Sequence, residues 1–307
     1  MDESQALEKL TSVPGFEGLM QEGARIDRLG GLTNLVFRVQ TSTQDLLLRI
    51  PGPGTEAYID RKVEAHNAKT AAEAGVSPEV IHFDETSGLM VAAYIDATTM
   101  SPPLFRETPG APTRAAHALR QLHTSGKTFK FRFELFDMID NYLKILAGKD
   151  TALPDGYDRV VEEAQSVREA LDAHPASLAP CHCDPLCENF LDTGDTMWVV
   201  DWEYSGMNDP LWDLGDLSVE AGFDEAMDRE MMAAYCDGEV DAATFGRVVI
   251  YKAMCDLLWT LWGLIQHADG NPAEDFWAYS TERFERCKRL MADPHFADHL
   301  AAVRAGS

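Results

Sequence analysis

Basic residues are scarce. Against 51 Asp and Glu the 307-residue chain carries only 26 Lys and Arg, a formal charge of −25, and a surface that negative repels nucleic-acid phosphates and anionic lipid alike. Neither is expected as a partner. A cationic small molecule meets a favourable field, whereas an anionic one such as a nucleotide needs a local positive patch or a metal. No run of the roughly 20 apolar residues that span a bilayer is evident, and the start, MDESQALEKL, lacks the basic region of a signal peptide. The chain therefore reads as cytoplasmic, without membrane insertion. The cysteines at 181, 183, 187, 236, 255 and 287 are too few and too clustered for a disulfide framework. Internal repeats and low-complexity tracts are absent, and a hydrophobic fraction of 45% is that of a folded globule.

What is present changes character near residue 96. Before it, Asn34–Gln40 and Asp45–Ile50 read as a hairpin around Thr41–Gln44, a helix is expected from about Glu56 to Ala74, and Glu79–Phe83 and Leu89–Ile95 read as two further strands. Beyond it the periodicity is helical, with candidates at Thr113–Thr124, Phe133–Ala147, Tyr157–His174, Asp224–Cys236, Ala242–His267 and Ala273–Met291. One interruption, Leu178–Asp201, reads as a strand, a polar loop and a hairpin turned at Thr193-Gly194-Asp195. The expectation is an α+β chain of two lobes with a cleft between them: residues 1–95, a small antiparallel sheet with one helix, and residues 96–307, larger and mainly helical.

The densest reactive cluster is His182-Cys183-Asp184-Pro185-Leu186-Cys187-Glu188-Asn189-Phe190, followed by Asp201-Trp202-Glu203. The pattern His-x-Asp-x4-Asn, then a hairpin, then a second Asp resembles the catalytic loop of the choline/ethanolamine kinases and the related aminoglycoside phosphotransferases. The likeness runs from Gly30 to about Leu290. It implies a protein-kinase-like fold and an ATP- and Mg²⁺-dependent kinase. Phosphoryl transfer needs a carboxylate at the acceptor hydroxyl and oxygen ligands for Mg²⁺. Asp184 supplies the first, Asn189 and Asp201 the second, and His182 is read as hydrogen-bonding the loop backbone. The rival for this loop is a zinc site of Cys181, His182, Cys183 and Cys187, opposed by the alternation of side chains along an extended segment.

In the first lobe Gly30-Gly31-Leu32-Thr33-Asn34 suits either a plain hairpin turn or a phosphate-binding turn. Arg49 stands where kinase-like folds carry a phosphate-binding basic residue, and arginine gives a bidentate contact. Helical spacing sets Glu64 on a small-residue face with Ala57, Ala68, Ala71 and Gly75, expected to pack on the sheet. Glu64 is read either as the partner of Arg49 or as a solvated charge beside Arg61.

The acceptor is read from Trp259 and Trp262, three apart on one helix, and from Tyr279. An aromatic stripe is more often core than binding site, but a quaternary ammonium has no N–H to donate and is best held by aromatic faces. The segment resembles the choline-binding helix of choline kinases, and the same resemblance implies that Tyr204 and Glu220 line the pocket, Glu220 as a counter-charge. Choline or a related amino alcohol is the expected partner, and a homodimer is allowed. Ethanolamine, thiamine and aminoglycosides are rival acceptors, and a quaternary-amine-binding pseudokinase is the non-catalytic rival.

Overall fold

The computed structural model describes residues 1–30, 34–52 and 59–306. Helix α1 (Glu3–Thr11) is closed at its start by a reciprocal capping box between Asp2 and Gln5. Five antiparallel strands follow: β1 (Arg25–Gly30), β2 (Asn34–Gln40), β3 (Asp45–Pro51), β4 (Val80–Phe83) and β5 (Met90–Ala93), in the spatial order β1-β2-β3-β5-β4. In β3 the pleat turns Leu46, Leu48 and Ile50 to a core shared with Ala6, Leu7 and Leu10 of α1. Arg49 therefore lies on the other face, in register with Val36 and Met90.

Helix α2 (Arg61–Glu73) starts where Asp60 accepts the backbone N–H groups of Lys62 and Val63. Residues 31–33 of the glycine-rich segment and 56–58 of the expected helix, Ala57 included, lie outside the described residues. Helix α2 packs against β4 of the sheet, and its Ala68 and Ala71 belong to a cluster that reaches Val80 of β4 and continues through Phe105, Leu119, Phe190 and Trp202 beyond residue 96.

The second half is mainly helical. Strand β6 (Thr98–Thr99) leads to α3 (Pro102–Glu107), α4 (Ala111–His123), α5 (Leu135–Leu146) and α6 (Tyr157–Ala173). Strands β7 (Ala179–Cys181), β8 (Phe190–Asp192), β9 (Met197–Val199) and β10 (Gly206–Asn208) form two small antiparallel sheets, β10-β7 and β6-β8-β9. Helices α7 (Pro210–Ala221), α8 (Glu225–Cys236), α9 (Ala242–Ala268), α10 (Phe276–Met291) and α11 (Phe296–Ala305) complete it. Contrary to expectation, α9 is long and apolar enough to cross a membrane, but 83% of its most apolar window is buried within the protein. It is the central core helix, packed by α5, α6, α7, α10 and α11.

Two glycines set how closely helices approach α9. A Cβ on Gly215 of α7 would meet Tyr251 Cβ at 2.7 Å and the Val248 carbonyl oxygen at 2.9 Å. On Gly263 of α9 it would meet Tyr279 Cδ1 at 2.6 Å. The first close approach seats α7 on α9 at Val248 and Tyr251, and the second seats Tyr279 of α10 on α9 beside Trp262.

Candidate active site

Between β7 and β8 the chain makes a tight loop. Cys183, just ahead of Asp184, is left-handed (φ 68°), and so is Asp201 (φ 69°), a conformation non-glycine residues hold only when their surroundings enforce it. Asp213, fully buried on α7, enforces the first. Its carboxylate accepts the backbone N–H groups of His182 (2.7 Å) and Cys183 (2.8 Å) and the Nε2–H of His123 (3.0 Å). Trp212 Nε1 donates to the Cys183 carbonyl at 3.0 Å. His182 Nε2 donates to the Val200 carbonyl at 2.8 Å, linking the loop to the residue before Asp201. Burial pulls the His182 ring below its ordinary pKa, which keeps it neutral and able to make that bond. Burial pushes the Cys181 and Cys183 thiols up.

Asp213→Asn tests this scaffold. The change puts an amide N–H against a loop N–H, and kcat should fall by about tenfold to a hundredfold with little change in the KM for the nucleotide. Unchanged kcat in steady-state assays would show that the loop keeps its shape without the carboxylate.

Asn189 donates from Nδ2 to the Asp184 carbonyl at 3.1 Å, which leaves its Oδ1 as an oxygen donor. Asp201 lies 3.2 Å from Arg49 Nη1. Burial and the adjacent Glu203 push the Asp201 carboxyl up to about 7, with Arg49 opposing. Arg49 also pairs with Glu64, which is 1% exposed and bonded at 2.7 Å to Arg61. Glu64 thus pairs with both arginines and is not solvated. Glu203 accepts from Asn34 Nδ2 at 2.8 Å and lies 3.3 Å from Arg61. The Asn34 side-chain N–H donor is thereby engaged by Glu203. Oxygens of Glu64, Asp201 and Glu203 come within 4.8 Å of one another. Three carboxyl groups face two guanidiniums there, and the donors are hard oxygens. This set fits Mg²⁺.

Tyr204, Trp259, Trp262 and Tyr279 meet. Ring centroids are 5.3 Å apart for Tyr204–Trp259, 6.4 Å for Trp259–Trp262 and 5.8 Å for Trp262–Tyr279, all edge to face. Trp262 Nε1 donates to the Tyr204 hydroxyl at 2.9 Å. Trp259 is 3% exposed, while Trp262 and Tyr279 are half-buried. Burial pushes the Tyr279 phenol up, with Arg283 opposing and the charges of Glu220 and Asp184 adding to the rise. Asp184 itself is held well above the ordinary carboxylate range by burial and by Asp216, Glu220 and Asp201, with Arg283 opposing.

Glu220 is a correction. It is not an available counter-charge, because Arg283 holds it with two bonds of 2.5 and 2.9 Å while lying 4.4 Å over the Tyr279 ring. Arg61, Glu203, Asp213, Asp216 and Arg283 escaped sequence reasoning as site residues. For two of them a signal existed: Asp213, Asp216 and Glu220 recur at helical spacing in an otherwise apolar segment opened by Asp209-Pro210.

A loop held left-handed before its aspartate, with an asparagine and a second aspartate beyond it and an arginine–glutamate pair beside that aspartate, is the arrangement of a kinase-like phosphotransferase. The sequence profile of the phosphotransferase enzyme family matches residues 26–244. A choline/ethanolamine kinase family protein from Mesorhizobium loti has 60% identity and a TM-score of 0.91, covering 99% of each chain. Choline kinase LicA from Streptococcus pneumoniae has 27% identity and a TM-score of 0.78, covering 94% of this chain and 98% of its own. A crystal structure of LicA in complex with AMP has 27% identity and a TM-score of 0.75, covering 97% and 98%. The chain belongs to the phosphotransferase enzyme family, in its choline/ethanolamine kinase branch: a nucleotide-using kinase with an alcohol acceptor.

Proposed function

We propose that the protein transfers the γ-phosphoryl group of ATP to the hydroxyl of choline, with Mg²⁺. The observation that carries the choice of acceptor is the wall of Tyr204, Trp259, Trp262 and Tyr279. A trimethylammonium has nothing to donate to a carboxylate and gains most from π faces, each contact worth roughly 0.5–2 kcal/mol when desolvated.

In this reading the wall holds the cationic end and directs the hydroxyl toward Asp184. The Asp184 carboxylate orients that hydroxyl and takes its proton as the new O–P bond forms. Asn189 and Asp201 would hold Mg²⁺, with Glu203 beside them. When bound, the metal neutralises charge on the phosphate oxygens. Arg49, positioned by Glu64, faces the phosphates from β3.

A coupled ADP-release assay with choline, ethanolamine, thiamine and an aminoglycoside at equal concentration tests the reading. Choline should give the highest kcat/KM, and preference for another acceptor or no turnover at all would refute it. Trp262→Leu keeps an apolar wall and removes a π face. The KM for choline should then rise by up to about thirtyfold with the KM for ATP unchanged. Unaltered choline kinetics in a folded variant would leave Trp262 to the core.

A further inference from the structure

Three carboxylates line one face of α7, at 213, 216 and 220, and their partners differ in kind. Asp213 is consumed by the loop N–H groups and His123. Glu220 is consumed by Arg283, with Arg286 3.5 Å away. Asp216, between them, is fully buried and has only neutral donors: the Cys255 thiol at 2.9 Å and the Trp259 indole N–H at 3.5 Å. Among the described residues no lysine or arginine forms an ion pair with it, the nearby Arg283 being committed to Glu220 and Asp256. A carboxylate with no cation of its own is costly to bury.

We propose that Asp216 is a specificity-determining residue that makes the site select a positively charged acceptor over a neutral one of the same shape, acting through Trp259. The inference deepens the amino-alcohol kinase reading and rests on it. Trp259 is the link: its N–H points at Asp216, and its ring is part of the wall with Tyr204 and Trp262. A carboxylate accepting the indole N–H pushes electron density onto the ring and places a negative charge behind it. Both effects favour a cation at the wall. In the empty site burial and Glu220 push the Asp216 carboxyl far above the ordinary range, and a positive charge at the wall offsets that penalty. The neutral carbon isostere of choline, with a tert-butyl group in place of trimethylammonium, fills the same space without doing so. Asp216 thereby takes the role that the sequence had suggested for Glu220.

The test is the ratio of kcat/KM for choline to kcat/KM for this isostere, in the wild-type chain and in Asp216→Asn. The substitution preserves volume and an acceptor for the indole. The ratio should fall at least tenfold, through a higher KM for choline, while kcat/KM for the isostere and the KM for ATP stay within about twofold. A merely structural role would weaken both acceptors together, and that result, or an unchanged ratio, overturns the proposal. Should Asp216→Asn fail to fold, Asp216→Ser removes the charge and keeps a hydroxyl for the Cys255 and Trp259 donors. It must then lower the ratio by several-fold, and an undiminished ratio overturns the proposal equally. Failure of the wild-type chain to phosphorylate any amino alcohol would instead refute the functional reading, and this inference with it.

Discussion

Asp184→Ala is expected to lower kcat by about 10²–10⁴-fold while nucleotide affinity stays close to wild type. The large effect follows from how much of the fold is committed to placing this one carboxylate. Cys183 is held left-handed before it, Asp213 anchors the loop N–H groups, and Asn189 ties down its carbonyl. Burial and three neighbouring carboxylates make Asp184 a more basic group than an exposed aspartate, which suits a proton acceptor. Alanine removes the acceptor and leaves the arginine–glutamate pair beside Asp201 untouched, so the loss falls on kcat. Steady-state kinetics with direct nucleotide titration separates the two quantities. Turnover at the wild-type rate would take Asp184 out of the chemistry.

Glu64→Ala should show the largest loss of stability. Glu64 lies between Arg49 and Arg61, and the three side chains are 1%, 5% and 7% exposed respectively. Removing the carboxylate leaves two buried guanidiniums with less compensation, and breaking such a pair costs about 3–5 kcal/mol. Asp201 remains beside Arg49 and Glu203 beside both arginines, so the lower end of that range is expected in chemical denaturation. The released Arg49 should shift toward Asp201. The KM for ATP should therefore rise more than that for the acceptor, and the opposite pattern would place the function of Glu64 elsewhere.

Elements with a strong local signal were legible in the sequence. Strand β2 has the bounds its alternation predicts, and α9 begins at Ala242 as expected. Helix α1 carries a readable capping box at Asp2 and Gln5 but is short, and it went unread with β1, α3 and α11. Helix α7 is hard to read for a different reason: Trp212 to Val219 are all buried, so the Asp213–Asp216–Glu220 spacing marks a buried face and not the solvated stripe of an amphipathic helix. The members of the aromatic wall were legible from tryptophan spacing and family likeness. Their electrostatic surroundings were not. Glu220 and Arg283 are 63 residues apart, and nothing local in either segment says that one neutralises the other. The same limit hid Glu203, whose partner Asn34 lies 169 residues away.

The division of α9 between core and wall constrains how this lineage can drift. Trp259 stands inside the main hydrophobic cluster, while Trp262 packs at its margin. A substitution at 259 perturbs folding and acceptor choice together, whereas changes at 262 and 279 touch mostly the cleft. Divergence toward other alcohols should therefore accumulate first at the half-buried positions. Among descendants of a common ancestor, position 259 should be the last of the wall to vary, and its replacement should coincide with compensating changes on α7 at Gly215 and Asp216.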